Sequence, residues 1–221
     1  MEQFKLLEDV GLLHDFDDVK VTAIAHDKNQ VDNFMLLLST FRNLELSVHM
    51  NDPEAENIMS RKMWEDAQCD EDYHMLYLHS KGITSVDNHL KNGNVHVFKN
   101  YYYWRHFLNW GVIEKWRDCV AALETHDLAG VNYFDEPAPH FSGNFWWGNS
   151  SYIRMLPDPS TKDWWKYIQN TTTDSWLKTA PDRFRDEMWV CSDKNRKVFS
   201  VKNLDRVTNL SATLIHRNAY T

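Results

Sequence analysis

The residues best suited to binding chemistry are concentrated in one short stretch, His140–Asn149, with the sequence HFSGNFWWGN. It contains two glycines, two amide side chains and the adjacent indoles of Trp146 and Trp147. Glycine lets another group approach the backbone closely, amides both donate and accept hydrogen bonds, and an indole offers a flat apolar face with one donor. These properties suit a polyhydroxylated ligand such as a sugar. The alternative is a buried strand with a bulge at Gly143, in which the tryptophans fill the core.

A second polar group follows a strand that is apolar enough to be central in a sheet. The strand is 74–78, and His79-Ser80-Lys81-Gly82 comes directly after it. Ligands of α/β sheets collect at the carboxyl ends of the strands, so this turn lies where a ligand is expected. The alternative is a plain connection from strand to loop.

The elements that must position these residues follow from periodicity. Apolar residues three and four apart predict helices, and β-branched alternation predicts strands. Helices are expected at 2–13, 31–42, 52–69, 101–125 and 151–156 and around 164–168, and strands at 19–25, 44–49, 74–78 and 127–134, with a loop at 83–98. Helices that alternate with strands predict an α/β fold with a mainly parallel sheet.

Bulk properties exclude several classes of partner. The chain has 221 residues, 43% of them hydrophobic, which predicts one substantial domain. Its net charge of −8 argues against nucleic acid or an anionic membrane as the main partner. The three cysteines are odd in number and far apart, which favours a reducing compartment. With no apolar run long enough to span a bilayer and no signal-peptide character at 1–5, a cytoplasmic location is expected.

Four phrases together carry a family resemblance. They are YLHSKG at 77–82, Trp104-Arg105, HFSGNFWW at 140–147 and Glu187-Met188-Trp189. They resemble small glycosyltransferase A-fold domains of bacterial polysaccharide loci and large DNA viruses, including those that build the capsid glycans of chlorella viruses. The resemblance covers roughly residues 5–195.

The resemblance implies a glycosyltransferase A-like mixed, mainly parallel sheet flanked by helices, with a Rossmann-like nucleotide-binding half. The chain would be one domain, with a donor nucleotide-binding half at 1–82, an acceptor and catalytic half at 83–195 and a C-terminal tail at 196–221. Its implied activity moves a hexose or deoxyhexose from a nucleotide sugar, most simply a UDP-sugar, to a glycan or glycoprotein acceptor. For a viral member the location would be the host cytoplasm.

In inverting members of the fold, the second residue of an acidic pair removes the proton from the acceptor hydroxyl. Asp186-Glu187 has the matching place in the chain, which makes Glu187 the candidate base; a carboxylate suffices because the proton leaves as the bond forms. Asp135-Glu136 is the alternative acidic pair. The leaving diphosphate needs cations, for which Lys81, Arg105 and Arg154 are candidates.

The resemblance also assigns binding residues. The implied donor-binding residues are His79, Ser80, Lys81, Gly82, Arg105 and Asp135. The implied sugar- and acceptor-binding residues are His140, Ser142, Gly143, Asn144, Trp146, Trp147 and Trp189. Because neighbouring residues of a strand point to opposite faces, only one of Trp146 and Trp147 is expected to face the ligand.

Two departures from the family pattern affect the expected chemistry. Many members carry an Asp-x-Asp motif for a divalent metal, where this chain has His79-Ser80-Lys81. Either Lys81 neutralises the diphosphate as a point charge, or Mn²⁺ or Mg²⁺ is held by His79 or by Asp135. The fold also normally begins with a strand, whereas this chain opens on a predicted helix.

Both departures favour a second hypothesis, a carbohydrate-binding or scaffolding domain that has lost catalysis. A third, a hydrolase with paired acids, has no strong motif in the sequence.

Overall fold

Helices and strands alternate from residue 2 to residue 77, and four strands follow one another between residues 128 and 149. The structure, a computed structural model, describes residues 2–39, 44–50, 55–80, 92–93, 95–172, 175, 186–204 and 215–221. Within them, helices pack around several small sheets. The mixed α/β class predicted from periodicity is therefore confirmed.

The described helices follow the predicted order. They are α1 (Glu2–Asp9), α2 (Lys28–Leu38), α3 (Ala55–Asp66), α4 (Val95–Asn109), α5 (Trp116–Ala122), α6 (Ser150–Met155) and α7 (Trp164–Thr171). A π-helical turn, Trp110–Glu114, joins α4 to α5, and short 3-10 turns lie at Leu12–His14, Pro159–Thr161, Trp189–Cys191 and Arg217–Ala219. No described helix combines the length and apolar character needed to cross a bilayer.

Most of the strands are shorter than the helices, and they are more numerous than predicted. They are β1 (Val19–Ala25), β2 (Leu44–Met50), β3 (His74–Tyr77), β4 (Leu128–Gly130), β5 (Tyr133–Phe134), β6 (His140–Phe141), β7 (Trp146–Asn149) and β8 (Val198–Ser200). The predicted strand at 127–134 divides into β4 and β5 because Asn132 adopts a left-handed φ of 61° between them. The predicted loop at 83–98 ends at Val95, where α4 begins; residues 83–91 and 94 lie outside the described residues.

Local chemistry explains where the first helices begin and end. Asp27 precedes α2, and its carboxylate accepts a hydrogen bond from the Gln30 backbone N–H at 2.9 Å, as expected of a helix N-cap. After α1, Gly11 has a φ of 79°, a conformation that glycine adopts without steric cost. The helix ends at Asp9, four residues before the predicted end at residue 13.

The sheets are mixed, which corrects the expectation of a mainly parallel sheet. β1 and β2 form a separate parallel pair, with Val19 opposite Leu44. The largest sheet has the order β3-β7-β4-β8, in which β7 runs antiparallel to both neighbours and β8 runs parallel to β4. Between β4 and β7 the chain forms the β5–β6 hairpin. Because this connection is a hairpin and not a crossover helix, β7 runs antiparallel to β4.

The segment predicted as a C-terminal tail contributes to the fold. Val198–Ser200 forms β8 of the largest sheet. Further along, Ile215 and Tyr220 are buried, and the Tyr220 ring lies 5.0 Å from those of Phe107 and Trp110. The strand escaped prediction because only two apolar residues, Val198 and Phe199, stand together in a polar segment.

Two apolar clusters cover the largest sheet, one on each face. Trp146 belongs to one cluster, where its ring stacks on Tyr77 at 5.4 Å. Trp147 belongs to the other, and its indole N–H donates to the Val112 carbonyl at 2.9 Å. Since consecutive residues of β7 point to opposite faces, this single strand anchors both clusters.

Candidate functional site

Strands β3 and β4 end, and strand β7 begins, at one edge of the largest sheet. In the register of this sheet, Trp146 at the start of β7 is opposite Tyr77 at the end of β3 and Gly130 at the end of β4. The residues that follow β3 and β4 therefore lie beside the residues that precede β7. This is the edge at which ligands of α/β sheets are expected.

A hydrogen bond joins the two polar groups that the sequence singles out. His79 Nε2 lies 2.9 Å from the carbonyl oxygen of Gly143, and because a carbonyl oxygen only accepts, the imidazole nitrogen donates. The His79 ring also contacts Phe145 edge-on, with centroids 5.3 Å apart. The polar turn after β3 and the turn before β7 are thus joined by direct contacts of the His79 side chain.

The turn before β7 has a backbone that few residues adopt. Gly143 has a φ of 102° and Asn144 a φ of 57°. A Cβ added to Gly143 would lie 2.5 Å from Leu108 Cδ1, so this glycine also permits close packing on α4. The Asn144 side chain is buried, and its Oδ1 accepts a hydrogen bond from Trp146 Nε1 at 2.9 Å. Asn144 therefore stabilises the turn itself.

A polar cluster from α1 and α4 adjoins His79. Gln3 Nε2 donates to the His79 carbonyl at 3.1 Å and to Asn109 Oδ1 at 3.2 Å. Asn109 Nδ2 in turn lies 3.4 Å from Glu2 Oε1. Arg105 donates from Nη2 to Glu2 Oε2 at 2.9 Å. The cluster places Arg105 near the edge, with Glu2 offsetting part of its charge.

Sequence reasoning missed Glu2, Gln3 and Asn109. The sequence holds one signal for Asn109, which is an amide within the aromatic run HFLNW. In the structure this residue is only 1% exposed. Buried amides require hydrogen-bond partners, so an amide at this position indicates a polar contact inside the fold. No comparable signal marks Glu2 or Gln3.

The three predicted sugar-facing tryptophans are core residues. Trp146, Trp147 and Trp189 are 2%, 3% and 1% exposed. Their indole N–H groups donate to Asn144 Oδ1, to the Val112 carbonyl and to the Pro157 carbonyl, each at 2.9 Å. None of them offers a face to a ligand in this structure. The expectation that one of Trp146 and Trp147 lies in the core thus extends to both, because apolar clusters cover both faces of the sheet.

The other predicted sugar-binding residues differ in accessibility. Ser142 and His140 are half-buried, whereas Gly143 is buried. His140 Nδ1 lies 2.7 Å from the Ala138 carbonyl, within the β5–β6 hairpin. Ser142 donates its backbone N–H to the Asn132 carbonyl at 2.9 Å, which joins the turn to the end of β4.

The candidate catalytic pair precedes the 3-10 turn Trp189–Cys191. Asp186 is buried, whereas Glu187 is half-buried. The 3-10 turn is fixed by Tyr152, whose hydroxyl donates to the Val190 carbonyl at 2.8 Å. Of the two carboxylates, Glu187 is therefore the more accessible.

Asp135 belongs to a network with Tyr133 and Arg196. Its Oδ1 accepts from the Tyr133 hydroxyl at 2.7 Å and from Arg196 Nη2 at 3.3 Å. Burial, and then the hydrogen bond to Asp135, raise the pKa of Tyr133 far above its ordinary value. The phenol therefore remains protonated and donates to the carboxylate.

The described residues do not fit a metal held by protein side chains. Among them, no group of three or more His, Cys, Asp or Glu side chains could bind an ion together. His79 Nε2 is directed at a carbonyl, and Asp135 is engaged by Arg196 and Tyr133. Lys81 and Gly82, which complete the predicted donor-binding turn, lie outside the described residues.

Arg154, the third candidate cation, has a different role. Its guanidinium donates to the carbonyls of Ala67 at 2.6 Å and Glu71 at 3.0 Å, and to the Asp72 carboxylate at 3.2 Å. These bonds connect α6 to the segment after α3. Arg154 is thus engaged in joining two parts of the fold.

Comparison with known proteins adds one match. The model of a family described as Domain of unknown function (DUF8361) matches residues 1–197. No curated protein and no solved structure matches the chain significantly.

Proposed function

We propose that this chain, which belongs to the DUF8361 family, is a glycosyltransferase with a glycosyltransferase A-like fold. It would move a hexose or deoxyhexose from a nucleotide sugar, with UDP as the expected nucleotide, to a glycan or glycoprotein acceptor. The observation that carries this proposal is the hydrogen bond between His79 and Gly143 at the carboxyl edge of β3. It joins the proposed donor-binding turn to the proposed sugar-binding stretch.

In this proposal the edge binds the donor through groups that are adjacent in the chain. Ser80 is exposed immediately after His79, and Lys81 follows it in the sequence. The Lys81 ammonium would neutralise the diphosphate as a point charge. The half-buried Ser142, beside Gly143, would donate to or accept from the hydroxyls of the transferred sugar.

The proposed reaction is a single displacement with inversion. Glu187 would take the proton of the acceptor hydroxyl while that oxygen attacks the anomeric carbon of the donor. The bond between the anomeric carbon and the diphosphate oxygen breaks at the same time, and the nucleoside diphosphate leaves with its electron pair. Cationic groups such as Lys81 would stabilise the charge that develops on it.

A carbohydrate-binding or scaffolding domain of the same fold is the second candidate. It is favoured by the ion pair between Arg105 and Glu2. Glu2 offsets part of the positive charge that Arg105 would otherwise offer to a leaving diphosphate. A binding domain would retain affinity for a sugar and show no release of nucleotide from a donor.

Nucleotide affinity tests the transferase proposal directly. We expect UDP to raise the melting temperature of the full chain more than GDP or CMP, in the presence or absence of Mn²⁺. A ligand at a hundredfold excess over its Kd stabilises the native state by about 2.7 kcal/mol, which is readily measured by thermal shift. Failure of all three nucleotides, with and without Mn²⁺, would contradict the proposal. Stabilisation by glycans alone would then favour the binding domain.

A further inference from the structure

The β1–β2 pair has one polar face. Neighbouring strand residues point to opposite faces, and the parallel register places Thr22 opposite Ser47. The face that contains this pair carries Lys20, Thr22, Ile24, Glu45, Ser47 and His49, whereas the other face carries only apolar residues. A helix that covers a sheet normally packs on its apolar face, so the polar face needs a different explanation.

Helix α3 lies over this polar face and is held there by ion pairs. Lys20 Nζ lies 2.7 Å from Asp66 Oδ2, and Lys62 pairs with Glu45. Between the helix and the strands remains a cavity of about 190 Å³. It is lined from the sheet by Thr22, Ser47 and His49, and from the helix mainly by Arg61, Lys62 and Glu65.

One group in the cavity indicates an occupant. The hydroxyl oxygen of Thr22 is buried and has no hydrogen-bond partner among the described residues. A buried polar atom without a partner destabilises a fold, and a polar cavity of this size has room for a molecule that supplies the bond. A molecule that donates and accepts hydrogen bonds would suit this polar lining.

The charges of the lining favour an anion. Arg61 is 48% exposed and pairs with Glu65 only at 3.7 Å, in an i, i+4 arrangement. Such exposed pairs contribute little, so the guanidinium is available to a ligand. Two hydroxyls, a guanidinium and an ammonium form a donor set that matches a tetrahedral oxyanion. The volume is below the roughly 300–1,000 Å³ of sites for drug-sized ligands, which suits one phosphate group better than a whole nucleotide.

We propose that this cavity binds a phosphate group, either free or carried by a sugar phosphate. The site is formed by β1, β2 and α3, whereas the proposed donor site lies at the edge of β3. It rests on its own contacts and does not depend on the proposed transferase activity.

Titration of the full chain with inorganic phosphate, at constant ionic strength, tests the proposal. We expect saturable binding by calorimetry, with Arg61→Gln weakening it about tenfold, since a hydrogen bond to a charged group has about that effect. Thr22→Val should weaken binding without lowering the melting temperature of the unliganded chain, because it removes an unpaired buried hydroxyl without changing shape. Glu65→Gln should tighten binding, because it removes the one negative charge of the described lining.

Lys166→Gln provides the matched control. Lys166, on α7, forms a similar exposed ion pair with Asp163, the residue before that helix. A titration with glucose 1-phosphate and one with glucose distinguish the sources of the phosphate group. Binding of glucose 1-phosphate alone would assign the site to sugar phosphates, and binding of both phosphates would assign it to the group itself. Unsaturable binding of both inorganic phosphate and glucose 1-phosphate, equal effects of Arg61→Gln and Lys166→Gln, or binding of glucose with no phosphate preference would each overturn the proposal.

Discussion

At the scale of single residues, the edge of the largest sheet depends on His79 and Gly143. The imidazole donates to the Gly143 carbonyl, and the glycine has a left-handed backbone against Leu108. An alanine at position 143 would keep this carbonyl but would place its Cβ 2.5 Å from Leu108 Cδ1. Ser142, the proposed sugar contact, is half-buried and directly precedes Gly143.

Replacement of Gly143 by alanine should lower the free energy of unfolding through two separable effects. In Gly143→Ala the left-handed conformation costs about 1–2 kcal/mol, and the overlap of Cβ with Leu108 adds about 1–3 kcal/mol. The control is Gly11→Ala, since Gly11 has a φ of 79° but no atom within 4 Å of an added Cβ. Urea unfolding should therefore show a clearly larger loss for Gly143→Ala. Equal losses would mean that Leu108 moves aside freely.

Glu187 carries the proposed proton transfer. We expect Glu187→Gln to leave the affinity for UDP unchanged, because the amide keeps the size of the side chain. It should reduce the release of UDP from a UDP-sugar by about a hundredfold or more, as is usual for loss of a general base. Asp193→Asn, which likewise replaces a half-buried carboxylate by an amide of the same size after the same 3-10 turn, controls for charge. Undiminished turnover in Glu187→Gln would remove Glu187 from this role.

At the scale of elements, polar side chains connect helices to the segments they cover. Arg154 ties α6 to the backbone after α3, and Gln3 ties α1 to the turn after β3 and to α4. Each bond joins residues far apart in the sequence. The helices are thus fixed by a few specific contacts in addition to their apolar faces.

The Arg154 connection has a measurable contribution to stability. We expect Arg154→Ala to reduce the free energy of unfolding by about 1.5–3 kcal/mol, the range for hydrogen bonds to a charged group. UDP affinity should not change, because the guanidinium is engaged between α6 and α3. Lys166→Ala, which breaks an exposed ion pair, should have an effect of about 0–1 kcal/mol. Loss of UDP binding by a folded Arg154→Ala protein would restore Arg154 as a donor-binding cation.

At the scale of the whole molecule, the three cysteines report on the integrity of the core. Cys119 and Cys191 are buried, whereas Cys69 is exposed. Burial raises the pKa of both Cys119 and Cys191 to about 12. At pH 8 their thiols therefore remain protonated and unreactive, since the thiolate is the reactive form.

Thiol labelling tests this arrangement. With a disulfide reagent at pH 8, we expect the native chain to react rapidly at Cys69 alone and the unfolded chain to react at all of its cysteines. Cys69→Ser should abolish the rapid phase in the native state and leave the others unchanged. A second rapid native thiol would show that one of the two clusters opens readily.

The order of the elements was predictable because it depends on local patterns. Apolar spacing indicated α1 to α3, and alternation indicated β1, β2 and β3, within a few residues of their observed bounds. The turn within 140–149 and the polar residues after β3 were also visible, since turn residues and strand ends are recognised from neighbours in the sequence. β8 was missed because only Val198 and Phe199 stand together in a polar segment. The division between β4 and β5 was missed because it depends on the left-handed backbone of Asn132.

The sequence by itself therefore determined an α/β chain with a polar edge after β3 and a glycine turn before β7. Only the tertiary structure decided that these two features touch, that Trp146, Trp147 and Trp189 are all buried, and that Glu2 pairs with Arg105. The physical reason is that burial and ion pairing depend on what covers a residue. For Trp146 and Trp147 the covering atoms come mostly from segments remote in the chain, on both faces of the same sheet.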